Sequence, residues 1–485
     1  MEKETIKIRK KSYEIKKVIS LTGDMLVPDT KPDIINSVGL NGDCFIKKEE
    51  ISDEKIRLEG CWNGNVIYLS DLGETKALIN NFNFLESFED SRINSKDEIE
   101  YSSKLLKSEA KILNERKINT TVELEIVIQG FKFEEVEIVS RLDDSNIEKL
   151  ERTILTRRYI NSNSTKTTIN EDVNFSESGK NVEILKSNLS ISNIEKKISY
   201  NKVLAKAEAD IKILYLCENQ IKKFNTKIPI MSFIEMENVN EENIIDLNYK
   251  TRKFLITNNV FEKSSIGCDL EFEISCSMYE KKEINLIQDL YSLEKDVNFS
   301  KQEVNMECLT ENQNEMFEFN EKINIEGVKE VHDYEYCLKK VEMSSNKTYE
   351  GNLNITVYYC KEENNNLMIK TIEVPFILKN VSENSSFNVS YCEISLNSNE
   401  VMCNFKIECV ENIRYEKVEI LNECELVDNK EDNSYSMIIY FVKPNDTIWN
   451  IAKNFKVSME QLINLNNISD PERIKPGEKL YIMKG

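Results

Sequence analysis

Histidine and glycine are scarce in this sequence, and their scarcity narrows the enzyme classes that it could encode. The 485 residues include one histidine, His332, and 13 glycines. A Ser-His-Asp or Cys-His arrangement and a histidine-rich zinc site need imidazole groups that His332 alone could supply. So few glycines also leave little material for loops that cradle phosphates. We therefore predict no catalytic residue, no metal site and no cofactor.

Long apolar runs are missing as well. No segment approaches the roughly 20 consecutive apolar residues of a membrane-spanning helix, so we expect no membrane insertion. The N-terminal stretch MEKETIKIRKKSYEIKK lacks the apolar core of a secretory signal, which predicts a cytoplasmic protein. The net charge of −21 repels phosphate backbones and argues against nucleic acid as a partner.

Several stretches of the sequence have an apolar residue at every second position. In the stretch NLNITVYY every second residue from Leu353 to Tyr359 is apolar, and in TTVELEIVI the same holds from Val122 to Ile128. This pattern is typical of strands with one buried face and one wet face. The predicted fold class is mainly β, with antiparallel sheets.

The β body contains an internal repeat. Tyr68, Tyr215 and Tyr359 end similar stretches that are 147 and 144 residues apart. Each is followed by an apolar strand whose matching residues, Phe84, Ile230 and Phe376, are 146 residues apart. A period this long exceeds that of stacked short repeats, so the pattern predicts three duplicated domains in tandem.

The segments that flank the repeats differ from them in composition. In LVPDTKPDIINSVG, Pro28 and Pro32 hold the backbone extended, which favours a structural strap over a catalytic loop. The stretch VDNKEDNSY is polar and acidic and is typical of a linker. The predicted domains are an N-terminal strap (1–38), three β repeats (39–150, 151–300 and 301–426), a linker (427–435) and a C-terminal domain (436–485).

The last 50 residues follow another pattern. MIIYFV is β-branched and aromatic, so it predicts a strand that Pro444 ends. Asp446 or Thr447 can cap the helix that follows, and Ser458 can open a second helix through a capping box with Gln461. A loop, a Pro-Gly turn and the closing strand KLYIM complete a small βααβ domain.

The segment YFVKPNDTIWNIAKNFKVSMEQLINLNNISDPERIKPGEKLYI resembles the LysM family over essentially the whole small domain. The resemblance implies two helices packed on a two-stranded antiparallel sheet. It also implies a shallow groove, between the first strand–helix loop and the second helix–strand loop, that binds chains of N-acetylglucosamine. Carried over by position, the groove residues are Asn445, Asp446, Thr447, Ile448, Asn467, Ile468 and Ser469.

Two residues depart from the LysM pattern, because Asn445 and Lys456 stand where the family usually has glycine. Asparagine tolerates a left-handed backbone, but it adds a side chain at the groove lip, where a glycan would approach. Lysine is more strained in that conformation. Trp449 and Ile448 each have two interpretations, as groove residues and as part of the helix core.

The repeated body, the VPDTKPDI stretch and the LysM-like tail together resemble the SipL family of spore-coat morphogenesis proteins, over all 485 residues. The resemblance implies a non-enzymatic adaptor in the mother-cell cytoplasm. Such an adaptor docks through its LysM domain onto stage IV sporulation protein A, the coat-basement ATPase, at the forespore surface. Other coat proteins are further partners that the resemblance suggests.

Two alternative functions stay open at this point. A LysM groove also suits a peptidoglycan-binding protein of the spore cortex or cell wall, with N-acetylglucosamine as its ligand. An enzyme of unknown type in the β body is the other alternative, although no residue nominates a substrate.

Overall fold

The structure is a computed structural model that describes residues 2–142, 144, 146–175, 177, 180–345, 347–361, 364–382, 385–397, 400–428 and 437–483. Most of these residues lie in long antiparallel strands, so the predicted mainly β fold class is confirmed. The predicted linker, 427–435, lies outside the described residues from residue 429 onward.

The strands and helices run in the following order along the described chain. They are β1 (Glu2–Leu26), β2 (Ile34–Ser52), β3 (Lys55–Ser70), β4 (Thr75–Glu89), β5 (Glu98–Asn114), β6 (Lys117–Arg141), β7 (Ile147–Asn174), β8 (Val182–Ser199), β9 (Lys202–Cys217), β10 (Gln220–Glu235), β11 (Ile244–Asn259), α1 (Val260–Lys263), β12 (Ser265–Ser292), β13 (Asp296–Ile323), β14 (Val328–Ser345), β15 (Thr348–Lys361), β16 (Asn364–Lys379), β17 (Ser386–Asn397), β18 (Glu400–Val427), β19 (Met437–Phe441), α2 (Ile448–Phe455), α3 (Met459–Asn466) and β20 (Lys479–Met483).

The period-two stretches form strands whose alternate residues are buried. In β6 every second residue from Val122 to Ile128 is buried, and in β15 the same holds from Leu353 to Tyr359. Successive side chains of a strand point to opposite sides, so this alternation places one side of each sheet in a core.

Six consecutive strands form one unit, and the arrangement occurs three times in the described chain. In unit 1 (β1–β6) the sheets have the orders β1-β6-β5 and β2-β3-β4, and units 2 (β7–β12) and 3 (β13–β18) repeat this topology. Phe84, Ile230 and Phe376 occupy equivalent places in the second sheet of each unit, and all three are buried. Their regular spacing therefore corresponds to one repeated core position.

The segment interpreted as a strap lies in β1, in the turn after it and at the start of β2. Strand β1 pairs with β6 along nearly its whole length. In the turn, Lys31 Nζ donates hydrogen bonds of 2.6 Å to Ala77 O and to Glu183 Oε1. Arg116 Nη1 donates to Asp33 Oδ1 at 2.8 Å. The VPDTKPDI stretch thus contacts unit 1 and unit 2, while the domain boundaries stay a prediction.

The first and last strands of the units meet at the centre of the molecule. Thr156 of β7 pairs with Cys308 of β13, which joins one sheet of unit 2 to one sheet of unit 3. Arg157 Nε donates to Glu307 Oε2 across the same junction at 2.7 Å. The apolar cluster around it comprises Ile6, Ile8, Val136, Ile138, Ile154, Ile284, Leu286, Val304, Met306, Cys308, Val418 and Ile420.

The C-terminal domain has the predicted βααβ order. Strands β19 and β20 pair antiparallel, and α2 and α3 lie between them in the chain. Thr447 is the N-cap of α2, and its Oγ1 accepts a hydrogen bond from Asn450 N at 3.1 Å. Ser458 is the N-cap of α3, but its side chain makes no capping hydrogen bond, so the capping-box prediction was wrong in that detail.

Candidate functional site

The loop between β19 and α2 begins the candidate groove. Asn445 has a φ of 70°, the left-handed conformation for which the LysM family usually has glycine. The Asp446 carboxylate accepts hydrogen bonds of 2.7 Å from the backbone N–H of Lys443 and from the hydroxyl of Tyr440. The Lys443 amide, and after it the Tyr440 hydroxyl, lower the pKa of Asp446 below its usual value. This loop is therefore fixed by its own hydrogen bonds, with Asn445 exposed at its tip.

The next two groove residues have different surroundings. Thr447 is exposed, with its hydroxyl engaged as the cap of α2. Ile448 is 2% exposed and packs with Ile451 and Ala452 in the core of the domain. Ile448 begins the apolar face of α2. Its side chain therefore packs in the core under the β19–α2 loop and does not form the groove surface.

The loop after α3 supplies the other side of the groove. Asn467 ends α3 in the left-handed conformation, with φ of 50°, and is exposed. The Ile468 N–H donates to Ile463 O at 3.1 Å, and the Ile468 side chain is half-buried. Ser469 is exposed. Ile468 packs against the same apolar cluster that holds Ile448, so both loops rest on one core.

The opposite side of α2 contacts the β body. Trp449 Nε1 donates a hydrogen bond of 2.7 Å to Asp289 Oδ2, and Lys453 Nζ lies 2.6 Å from Asp289 Oδ1. The Trp449 and Tyr291 rings meet edge to face with centroids 5.0 Å apart. The Tyr291 hydroxyl donates to Val457 O at 2.7 Å. We call Asp289, Tyr291, Trp449 and Lys453 the latch.

The latch favours the ionised form of its carboxylate. Burial disfavours the charge of Asp289, but the hydrogen bonds from Lys453 and Trp449 outweigh it and lower the pKa of Asp289. Burial raises the pKa of Tyr291 far above neutrality, so its hydroxyl stays a donor. Both side chains come from the end of β12, where a bulge between Ile287 and Asp289 changes the register with β7.

Lys456 adds a second contact at the end of α2. Its φ is 50°, so the left-handed conformation persists without glycine. Its ammonium group lies 2.5 Å from Asp296 Oδ1, at the start of unit 3. The C-terminal domain therefore contacts the body through α2 and through the two residues that follow it, Lys456 and Val457.

Sequence reasoning missed the body half of this latch. Trp449 is buried in the apolar cluster of the C-terminal domain, which agrees with the helix-core interpretation, and its ring also packs on Tyr291 of the body. Asp289 and Tyr291 stand 160 and 158 residues before Trp449, and nothing in their local pattern separates them from other strand ends.

The lone histidine lies in unit 3 beside a thiol. His332 Nε2 is 3.1 Å from Cys360 Sγ, and Glu330 Oε1 is 3.8 Å from His332 Nδ1. Burial lowers the pKa of His332 and raises the pKa of Cys360 to about 11, so the thiolate that nucleophilic chemistry needs is disfavoured. In the described ranges, no three His, Cys, Asp or Glu side chains are grouped as a metal site requires.

A cavity of about 500 Å³ lies between units 1 and 2. Its amide groups already join the units, since Asn65 Nδ2 donates to Leu185 O at 3.1 Å and Asn63 Nδ2 donates to Phe254 O at 3.5 Å. The asparagines that line it are Asn41, Asn63, Asn65, Asn81, Asn181 and Asn258. We interpret this cavity as part of a polar interface between units 1 and 2.

Comparison with known families identifies two modules. The LysM domain matches residues 440–482, and the SipL, SPOCS domain matches residues 182–257, which span β8 to β11 of unit 2. The uncharacterized protein YkzQ of Bacillus subtilis (strain 168) is 46% identical over 44 residues, which are 9% of this chain and 57% of that protein. The chain thus spans little more than half of the curated relative that it matches. No solved structure matches.

The chain therefore carries a SipL, SPOCS domain and a C-terminal LysM domain, as the sequence resemblance implied. Both are binding or adaptor modules, and together they fit a sporulation-associated adaptor of a glycan-binding type. The helices of the described chain, of four and eight residues, fall short of a membrane span.

Proposed function

We propose that this chain is a non-enzymatic adaptor in spore coat and envelope assembly. Its LysM domain docks onto stage IV sporulation protein A, the coat-basement ATPase, at the forespore surface inside the mother-cell cytoplasm. The repeat units extend from that contact and are available to other coat proteins. The combination of SPOCS and LysM modules in one chain supports this function.

The main support for the proposal is that one side of α2 is bound to the body while the groove loops are exposed. One side of α2 is held on the body by the hydrogen bonds of Trp449 and Lys453 to Asp289. The groove loops expose Asn445, Thr447 and, on the far side, Ser469. A domain that is fixed to the body on one side and exposed on the other can bind a partner and so hold the whole body beside that partner.

The chemistry of the groove suits a polypeptide partner. Asn445 places an amide at the lip, where the LysM family usually leaves space for a glycan. Residues 436–485 carry a net charge of +2 on a chain of −21, so the domain is the basic end of an acidic protein. The basic domain attracts acidic protein surfaces, whereas the acidic body is repelled by them.

Co-purification tests this proposal directly. We expect the tagged ATPase to retain the full chain and to lose a version that ends at Asp432. Equal recovery of the two versions would show that the LysM domain is not the docking module. Circular dichroism of the shortened version provides the folding control, since the β body should keep its strand signal.

Peptidoglycan binding is the second candidate, because the left-handed backbone at Asn445 and the exposed Ser469 keep the groove loops open. Titration of the full chain with chitin oligomers separates the two candidates. The adaptor proposal expects no binding at millimolar sugar, whereas binding at micromolar concentration would favour a cortex or cell-wall protein.

A further inference from the structure

One side of the LysM sheet carries large apolar side chains that are exposed. Met437, Ile439 and Phe441 alternate along β19 with exposures of 53%, 49% and 61%. Met483 lies opposite Met437, and Tyr481 lies opposite Ile439, with exposures of 43% and 36%. The helices cover the other side of the sheet. A contiguous apolar surface of this kind marks an interaction site more often than isolated apolar residues do.

The same strand has an open backbone edge. The Val442 N–H donates to Glu478 O at 2.9 Å, which marks that pair as hydrogen-bonded across the sheet. Antiparallel pairs alternate, so the N–H and C=O groups of Met437, Ile439 and Phe441 point away from β20. Among the described residues, β19 pairs with β20 alone. The three residues with exposed side chains therefore also present backbone groups that can bond another strand.

The outer edge of β20 is closed by a side chain. Asn466 Nδ2 donates to Tyr481 O at 2.7 Å, and the Tyr481 N–H donates to Asn466 Oδ1 at 2.6 Å. Two edge strands of the repeat units, β10 and β16, are protected in another way, since they contain Pro229 and Pro375. Prolines and charges normally keep edge strands from pairing with other chains, and β19 has neither from Met437 to Phe441.

Two exposed lysines lie at the Phe441 end of the apolar surface. Lys479 is the one charged residue in the sequence of the two strands, and it lies opposite Phe441 with its ammonium group 4.6 Å from the Tyr481 ring. Lys443 follows β19 and is exposed. An acidic segment would complement these charges, whereas a basic segment would be repelled.

We propose that the outer edge of β19 is a docking site for an extended acidic polypeptide segment. The segment adds as a third strand of the LysM sheet, bonded to the backbone of Met437, Ile439 and Phe441. Its alternate apolar side chains cover the apolar side of the sheet, and acidic residues at the end beyond Phe441 lie near Lys443 and Lys479. This site is separate from the groove and does not depend on the proposed ATPase partner.

Fluorescence anisotropy with three labelled peptides tests the site on the full chain. The first peptide has valine at every second position and glutamates at the end that reaches Lys443, the second replaces each glutamate by lysine, and the third is the first with N-methyl groups along its bonding edge. We expect the acidic peptide to bind, and the other two to bind at least about tenfold more weakly. Hydrogen exchange should show protection of residues 437–441 when the acidic peptide is bound.

Two variants locate the binding on the domain. Ile439→Lys places a charge on the exposed side of β19, and we expect it to weaken acidic-peptide binding about tenfold or more by removing apolar contact from a strand edge. Ser469→Lys, in the groove, is the matched control and should leave the affinity within about twofold. Unchanged exchange rates of α2 in both variants would confirm that the domain is folded.

The proposal is overturned if the acidic peptide does not bind, if the three peptides bind alike, or if Ile439→Lys binds as well as the unaltered chain. Self-association of the chain that Ile439→Lys abolishes would assign the edge to a second copy and would also overturn it. Protection of residues 437–441 by a chitin oligomer would do the same in favour of a glycan.

Discussion

Trp449 of the LysM domain donates its indole hydrogen bond to Asp289 of unit 2 across 2.7 Å. Lys453, one helical turn later, contacts both oxygens of the same carboxylate at 2.6 and 2.8 Å. One body residue thus holds two positions on one side of α2. The groove loops lie elsewhere on the domain, so the latch and a groove partner do not compete for the same side chains.

Removal of the latch carboxylate should loosen the LysM domain from the body. Asp289→Ala removes the acceptor of Trp449 and the counter-ion of Lys453, so we expect a loss of about 1–2 kcal/mol in docking free energy. Hydrogen exchange of α2 amides should become about tenfold faster. Asp470→Ala, which removes an exposed carboxylate near Arg473, is the matched control. Equal exchange in both variants would contradict the latch.

The latch should also respond to acid. The pKa of Asp289 is lower in the docked state, so its contribution is present above the ordinary aspartate pKa and is lost as pH falls through the lowered value. We expect docking to persist above about pH 4 and to weaken below it. The indole N–H resonance of Trp449 reports this directly and can be assigned with Trp449→Phe. A resonance that does not move between pH 5 and pH 2 would refute it.

A half-buried carboxylate between the units, Asp43, gives a stability prediction of opposite sign. Burial and the nearby Glu335 raise the pKa of Asp43 to about 6, against the opposing effect of Lys186. The protonated form is favoured in the folded state, so stability falls as pH rises from about 4 to 6. We expect Asp43→Asn to stabilise the chain by about 1–2 kcal/mol at pH 7.5 and to be neutral near pH 4.

Urea denaturation at the two pH values measures this effect of Asp43→Asn. Asp53→Asn is the control, because a backbone hydrogen bond from Ser95 lowers the pKa of Asp53 and its charge is favourable. A control that gains stability at pH 7.5 as Asp43→Asn does would show that reduced net charge, and not burial, is responsible.

The close approach of two glycines in unit 1 gives a packing prediction. A Cβ on Gly64 would lie 2.1 Å from Asn41 O and 3.0 Å from Gly42 Cα, both backbone atoms. We expect Gly64→Ala to destabilise the chain by about 2–4 kcal/mol because strands β2 and β3 would have to separate. Gly267→Ala is the control, since the nearest atom to its Cβ is the Asn259 side-chain nitrogen at 3.2 Å. Similar denaturation midpoints would argue against this packing.

The fold was largely predictable from the sequence because its signals are local. Alternation from Leu353 to Tyr359 reports one strand, and the recurrence of Phe84 at Ile230 and Phe376 reports one core position in three units. The βααβ order of the tail follows from Pro444 and the helix caps. The capping motif places Ser458 at the start of α3 correctly but does not determine whether its hydroxyl bonds the helix.

The site was less predictable because its contacts are distant in the chain. The groove residues follow from position in the LysM pattern, and the helix-core interpretation of Ile448 agrees with its burial. Asp289 and Trp449 of the latch are separated in the chain by the whole of unit 3, and no periodic pattern encodes such a pair. The open edge of β19 likewise depends on which pairs exchange hydrogen bonds, a property of the register between strands.

The central claim is that the groove of the LysM domain binds a protein partner. Titration of the full chain with the coat-basement ATPase tests this claim most directly. Thr447→Asp keeps the helix cap but adds a charge in the groove, and Lys212→Glu, on the exposed side of β9, is the control. We expect Thr447→Asp to raise the Kd about tenfold or more and Lys212→Glu to leave it within about twofold. Equal affinity of Thr447→Asp and the unaltered chain would contradict the claim.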